Sequence, residues 1–337
     1  MPNLVQPEID ETLLRNDLPA QYDALDKSFG IRDGGGTGNR SFILKSGGSE
    51  WFLRVRNPKY DDKPAMDFEL DLLLRLKAGG LPVHPPILSR DGHPWGYAGD
   101  FTVQLFPFIR GTMFEDGNPE QIKEAARILR EWHKLAMPLC GDLRKPWERE
   151  DSFMIAFAGR DLALQGATDQ SQMSELLRTT DAIHQLLRRL PPKTFWSLPQ
   201  TIVHADYHPA NMLFDGSRMV GLFDFDYSCE HPRLKDLANA LIYFGAGRER
   251  QLDSSDIRTY IQKFAFIPER IRCFMSEYER EAPLTKAERE NLSVMMLGRW
   301  LQMRSCGIVK LPAGERAAIF CDGMGDVIEM ILSFRLP

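Results

Sequence analysis

The apolar positions of the first hundred residues fall in short, β-prone runs. Ser41-Phe-Ile-Leu-Lys45 and Glu50-Trp-Phe-Leu-Arg-Val-Arg56 are separated by Ser46-Gly-Gly-Ser49, which predicts two strands joined by a hairpin turn. Gly34-Gly-Gly-Thr-Gly38 lies just upstream and reads as the loop leading into the first of them. From Pro64 to Lys77 the period changes: Met66, Leu70, Leu73 and Leu74 recur at helical spacing, and Gly79-Gly80 ends the run. Pro82, Pro85 and Pro86 force an extended connection. Phe101-Thr-Val-Gln-Leu-Phe106 is a further strand, closed by Pro107.

Beyond Pro107 the pattern becomes helical. Asn118-Pro119 supplies an N-cap and a first-turn proline, and Ile122, Ala125, Leu129 and Trp132 then mark one face. Most of the chain from Asn118 to Leu190 follows this period, as does the C-terminal stretch, where Thr285-Lys-Ala-Glu288 forms a capping box. The segment from Thr201 to Tyr227 interrupts the helices with strand-like runs. The expectation is an α+β chain of two lobes: a small β-rich one over residues 1–106 and a larger, mostly helical one over 107–337, with a connector near Gln104 to Gly111.

Composition narrows the classes. With 43% hydrophobic and 26% charged residues the chain has an ordinary soluble make-up. A net charge of -5 gives no electrostatic case for nucleic acid. No run of about eighteen apolar residues suggests a membrane span, and Met1-Pro-Asn-Leu-Val-Gln-Pro lacks the make-up of a signal peptide. Five scattered cysteines without a C-x-x-C pair fit reduced thiols in a cytoplasmic protein. The oligomeric state is not legible.

The chemistry concentrates in His204-Ala-Asp206-Tyr-His-Pro-Ala-Asn211 and Asp224-Phe-Asp226. Met212-Leu-Phe214 and Met219-Val-Gly-Leu-Phe223 flank Asp215-Gly216, a hairpin signal. Strands paired about a centre near Ser217 and Arg218 bring Asn211 and Asp224 roughly opposite each other. An Asn and an Asp there suit Mg2+, which takes few protein oxygens and completes its shell with water and phosphate. Asp206, on the loop leading in, would orient an attacking hydroxyl and accept its proton. The order of base, amide and second carboxylate is that of the kinase template H-R-D-x-x-x-x-N with Asp-Phe-Gly; Ala205 replaces Arg and Asp226 replaces Gly. A competing reading takes the alternating His204, Asp206 and His208 as one face of a strand in a zinc or di-metal hydrolase. Pro209 breaks such a strand, and the one further His nearby, His231, precedes Pro232.

The segment resembles the signature of the aminoglycoside phosphotransferase and choline kinase-like superfamily, H-G-D-x-H-x-x-N followed by I-D-[FW]-[DE], with Ala205 in place of the usual Gly. Leu234-Lys-Asp236-Leu-Ala238 matches that family's downstream D-L-A, whereas its G-D-P reads Glu230-His231-Pro232 here. The resemblance implies a bilobal protein kinase-like fold and ATP as co-substrate, with GTP not excluded. It makes Asp206 the base, Asn211 and Asp224 the magnesium ligands, and His204 with Asp236 the brace of the catalytic loop. On the nucleotide side it implies Arg54 where the family has a phosphate-binding Lys, with Glu69 as its partner. An ordinary surface ion pair is the plainer account of those two. Gly35 and Gly36 would sit in a phosphate-covering loop, and Gln104 and Phe106 at the adenine hinge.

Asn39 to Arg54 resembles the opening hairpin of type II homoserine kinases, and Phe101 to Phe114 is similar to a bacterial stress-response Ser/Thr kinase group. Substrate candidates in the helical lobe are Tyr207, Asp226, Arg299 and Trp300; a core role competes for Trp300, and a metal-ligand or helix-cap role for Asp226. Three functions follow: a kinase of a small-molecule hydroxyl (an amino alcohol, an amino acid such as homoserine, an aminoglycoside or another sugar), a Ser/Thr protein kinase, or a nucleotide-binding pseudokinase. The partners expected are a nucleotide and a small hydroxyl acceptor, with no nucleic acid and no membrane.

Overall fold

The computed structural model describes residues 7–35, 38–137, 152–253 and 255–336. Helix α1 (Glu11–Gln21) is capped by the Asp10 carboxylate, which accepts the Thr12 N–H. Strands β1 (Gly30–Gly35), β2 (Arg40–Ser46) and β3 (Ser49–Val55) then form an antiparallel meander. Its β2–β3 turn falls on Gly47 and Gly48, at φ 57° and 81°, a conformation that a side chain would enter at a cost of about 1–2 kcal/mol. Helix α2 (Lys63–Ala78) and strands β4 (Gly96–Ala98) and β5 (Phe101–Pro107) complete a five-stranded sheet of order β1-β2-β3-β5-β4. One face of that sheet buries Phe42, Leu44, Leu53, Val55, Val103 and Leu105 against Leu14 and Leu18 of α1.

Helix α2 departs from the spacing expected of it. Its buried positions are Ala65, Met66, Glu69, Leu72, Leu73 and Leu76, and Leu74 is 50% exposed. Leu72, Leu73 and Leu76 join the larger core, beside Ile122, Leu129 and Trp132 of α3 (Pro119–Ala136). Asn118 caps α3 through bonds from the Glu120 and Gln121 N–H groups, as the Asn-Pro pair predicts.

The helical part continues with α4 (Ser152–Leu164), α5 (Gln170–Arg189) and α6 (Pro192–Ser197). Strand β6 (Gln200–Val203) leads into the motif; β7 (Met212–Asp215) and β8 (Arg218–Leu222) form its hairpin, and β9 (Cys229–Pro232) pairs back on β6. Helices α7 (Leu234–Phe244), α8 (Arg258–Ile261), α9 (Pro268–Tyr278) and α10 (Lys286–Ile308) pack behind, with strands β10 (Ala246–Arg248) and β11 (Phe264–Phe266) among them. Helices α11 (Ala313–Cys321) and α12 (Met324–Ser333) close the chain. The capping box at the start of α10 is present: Thr285 accepts from Glu288 N–H, and the Glu288 carboxylate accepts from Thr285 N–H.

Two segments of the first part are sewn onto the motif hairpin. Thr112, just past β5, exchanges two backbone hydrogen bonds with Phe214 of β7, each 2.8 Å. On the other side Leu222 N–H donates to the Pro82 carbonyl at 2.8 Å, and the His84 ring bonds to the Val220 carbonyl at 2.9 Å. Among the described residues no helix is long and apolar enough to cross a membrane, and Cys229, Cys273, Cys306 and Cys321 form no disulfide.

Candidate active site

Strand β6 stops at Val203, and the chain turns at once: Ala205 has φ 65°. A left-handed alanine is strained, and four backbone hydrogen bonds hold it and its neighbours. The Asp236 carboxylate accepts the N–H groups of His204 and Ala205, both at 2.7 Å. Arg299 Nη2 donates to the Ala205 carbonyl at 2.9 Å, and Asn239 Nδ2 to the Tyr207 carbonyl at 3.1 Å. Asp236 and Asn239 are three apart on α7, so one helix face presents both straps. The buried His204 ring takes the Asp206 N–H on Nδ1 (3.3 Å) and contacts the Phe223 carbonyl through Nε2 (3.0 Å). Burial lowers its pKa despite the nearby Asp236 and Asp206 carboxylates, so the neutral Nε2–H form satisfies both contacts. His204, Asp206 and His208 therefore lie on a turning loop and not on one strand face. Among the described residues no group of three His, Cys, Asp or Glu side chains is arranged to hold a metal, so His204, Asp206 and His208 do not form the shared-face cluster that the hydrolase reading needs.

Asp206 is the part of this loop that meets solvent, with a side chain 30% exposed. Burial would raise its pKa, but His208 at 3.3 Å, then His204 and Arg299, outweigh it and hold the carboxyl well below the usual range. The charged form is thus present at neutral pH, as a proton acceptor requires.

In the hairpin Met212 pairs with Leu222, with a register shift between Leu213 and Phe214. The shift places Asn211 opposite Phe223, whose N–H it accepts at 3.0 Å. Asp224 follows one residue later, turned by its own φ of 65°. Asn211 Nδ2 donates to the Asp206 carbonyl at 2.9 Å, and its Oδ1 accepts no hydrogen bond from the described residues. Asp224 Oδ1 is buried without a hydrogen-bond partner. Burial and the charges of Asp226 and Asp206 push the Asp224 pKa up to about 6, against the pull of Arg54. A buried carboxylate oxygen with no donor and an amide oxygen that accepts no bond, both at the open end of this hairpin, are the donor types that suit a divalent cation completing its shell with phosphate and water.

The nucleotide side differs from expectation in its pairing. The ion pairs of Arg54 run to Asp226 at 3.2 Å and Asp224 at 3.9 Å, not to Glu69. Glu69 is buried on α2, where its charge acts on Arg56. Gly35 lies at the end of β1 with φ 72° and open space where a Cβ would stand; Gly36 lies outside the described residues. Gln104 pairs with Arg54 across the sheet, but its side chain is buried and turned to the Pro94 carbonyl. Phe106 is half-buried, 5.9 Å below the Arg54 guanidinium.

The substrate candidates sort differently. Tyr207 is fully buried and donates its hydroxyl to the Ala125 carbonyl at 2.7 Å, so it is a core residue. Trp300 is fully buried against Phe264 and Arg304. Arg299 straps the catalytic loop, and Asp226 is engaged by Arg54, Arg56 and Asn39; the cap position before α7 is occupied by Arg233. The wall beside Asp206 comes instead from Tyr243 and Tyr260, whose rings stand 5.1 and 5.3 Å from that of His208. Burial, with the charge of Asp206 adding to it, raises both phenols, although Arg248 pulls Tyr243 down. Neither hydroxyl bonds to a described residue. No local motif marks these two tyrosines; the helical spacing of α7 and its neighbours was the signal available.

The model of the phosphotransferase enzyme family matches residues 30–274. A homoserine kinase of Zymomonas mobilis is 23% identical over 282 residues, 82% of this chain and 80% of that protein. One of Pseudomonas aeruginosa is 26% identical over 269 residues, 79% and 76% of the two. Among solved structures, a microcompartment-associated aminopropanol kinase has TM-score 0.69 at 20% identity, covering 96% of this chain and 98% of that one. Spectinomycin phosphotransferase APH(9)-Ia, in complex with ADP and spectinomycin, has TM-score 0.65 at 17% identity, covering 97% and 99%. The architecture they share with this chain is the bilobal protein kinase-like fold.

Proposed function

The chain belongs to the phosphotransferase enzyme family, and from that premise we propose that it moves the γ-phosphate of ATP to a hydroxyl of a small amino alcohol or amino acid. What supports the reading most is Asp206, ionised on a strained and strapped loop, with Asn211 Nδ2 on its carbonyl at 2.9 Å and His208, which the Tyr243 and Tyr260 rings approach, 3.3 Å from its carboxylate. The acceptor hydroxyl attacks the γ-phosphorus as its proton passes to Asp206. The bond to the bridging oxygen breaks and ADP leaves. Asn211 Oδ1 and Asp224 Oδ1 would hold Mg2+, which when bound neutralises charge on the phosphates. Arg54, with a side chain 15% exposed, would reach the phosphate oxygens bidentately. Residues 1–106 would form the nucleotide-side lobe.

The acceptor class follows from the wall. Two aromatic rings with unpaired hydroxyls, both within reach of the Asp206 charge, favour a small hydroxylated ligand bearing an ammonium group. Homoserine and aminopropanol, named for the similar kinases, both carry an amine and a hydroxyl. The test is incubation with labelled ATP and Mg2+, against a panel of amino alcohols, hydroxy amino acids and aminoglycosides or, separately, a protein extract. Label on a small amine-bearing alcohol is the expected result. Label on protein alone would replace this reading with a Ser/Thr protein kinase, and nucleotide binding without transfer would replace it with a pseudokinase.

A further inference from the structure

Arg54 on β3 and Arg56 just past its end both reach Asp226, and their surroundings differ. Arg56 is fully buried; its Nη1 donates to Asp226 Oδ1 at 2.6 Å and its Nη2 to the Tyr60 carbonyl at 2.7 Å. Arg54 shares the same Asp226 oxygen at 3.2 Å but keeps access to the cleft. Asn39, ahead of β2, donates to the other Asp226 oxygen at 2.8 Å and accepts the Asn57 N–H at 2.8 Å. Beside them the Tyr60 and Tyr227 hydroxyls meet at 2.8 Å. The bonds just named to Asp226 and Tyr227 each run from the sheet side to the helical side, and Asp226 stands two residues from Asp224. The covalent connector joins the lobes elsewhere, at the end of β5.

We propose that Asp226 and Arg56 form a bolt between the lobes that positions Asp224, leaving Arg54 as the exchangeable cation for nucleotide phosphate. Arg56 has no path to a ligand, so its task is to fix Asp226; Asp226 in turn fixes the turn that carries Asp224. Arg54 stands beyond hydrogen-bond range of Asp224, at 3.9 Å, and its charge can be transferred to a phosphate when a cation takes over the carboxylate. One arginine holds and the other moves. This division rests on the phosphoryl-transfer reading for its ligand, but the bolt itself does not.

The test compares wild type with Arg56→Met, Arg56→Lys and the milder Asn39→Ala, which leaves all charges in place. Hydrogen exchange judges the bolt without reference to activity. Arg56→Met should speed exchange together in residues 38–60 and in residues 223–228, and Arg56→Lys should recover part of the protection. Turnover judges the positioning: the Mg2+ concentration for half-maximal rate should rise at least tenfold in Arg56→Met, and severalfold in Asn39→Ala, while the acceptor KM stays within about twofold. Faster exchange confined to residues 38–60, or an unchanged Mg2+ requirement in an active variant, overturns the proposal. A wild-type protein that transfers phosphate to nothing sinks the functional reading, and the exchange data then decide the bolt alone. If Arg56→Met does not fold, Asn39→Ala and Arg56→Lys carry the same two readouts.

Discussion

Replacing Asp236 by Asn tests how the catalytic loop is held. The carboxylate is fully buried and accepts three donors: His204 N–H and Ala205 N–H at 2.7 Å each, and His133 Nε2 at 3.2 Å. Its pKa is lowered because the His133 hydrogen bond and nearby imidazoles outweigh the burial that would raise it. Asn keeps one acceptor oxygen and turns an NH2 group toward a backbone N–H. Hydrogen bonds to a charged group contribute about 1.5–3 kcal/mol each, and breaking a buried charged contact on one side costs roughly 3–5 kcal/mol. A loss of about 3–4 kcal/mol in urea unfolding is expected, a large part of the 5–15 kcal/mol typical of a domain. The loop also stores strain at Ala205, about 1–2 kcal/mol for a left-handed residue with a Cβ. Without Asp236 that strain can relax and carry Asp206 away, so turnover should fall at least a hundredfold while nucleotide affinity changes little. Adding Ala205→Gly, which tolerates φ 65° freely, should return part of the turnover. The reasoning is refuted if Asp236→Asn loses under about 1 kcal/mol and under threefold in rate, or if Ala205→Gly makes the loss worse.

Asp206→Asn should lower transfer by roughly 10²–10⁴-fold with nucleotide binding retained by calorimetry; near-normal turnover would show that the base is misassigned. Tyr243→Phe and Tyr260→Phe should each raise the acceptor KM several-fold and leave the ATP KM unchanged, measured with the best substrate of the panel. Glu288, buried and bidentate to Arg233 at 2.7 and 2.9 Å, has a lowered pKa because Arg233 and the Thr285 N–H outweigh its burial. Its contribution is therefore present above the ordinary glutamate pKa of about 4.3 and lost as pH falls below it. Glu288→Gln should cost about 3 kcal/mol at pH 7, and the gap to wild type should narrow below about pH 4 in urea titrations.

Local patterns carried the sheet and the motif hairpin because turn glycines, strand runs and caps act within a few residues. Gly47 and Gly48 turn the first hairpin, and Asn118 and Thr285 cap their helices by the rules that identified them. The register near Asn211 was one place off: the turn falls on Gly216 and Ser217 and not about Ser217 and Arg218, and the bulge between Leu213 and Phe214, which no residue type announces, recovers one of the two places this costs. The substrate wall was not legible. Tyr207 looked available because it adjoins Asp206, but the left-handed turn at Ala205 sends its ring into the core. Tyr243 and Tyr260 arrive from α7 and α8, far along the chain, where helical spacing marks burial and says nothing of what lies above. Arg54 was singled out on β3, but Arg56 just past it was not, although both reach Asp226. Which of them is buried depends on Asp226, 170 residues away from Arg56.

The bridge from Thr112 to Phe214 bears on how this protein can be re-engineered. Stretches between lobes are usually the safe places to insert a tag, lengthen a chain or split a protein in two. Here the connector is pinned to the catalytic hairpin by the single bridge from Thr112 to Phe214, and Gly111 lies so close that a Cβ would meet Leu213, the Phe214 carbonyl and Val220, all at 3.0 Å. An insertion at this position would act like one in the core, and fragments cut here would each lose an edge of the strand pairing that surrounds Asn211.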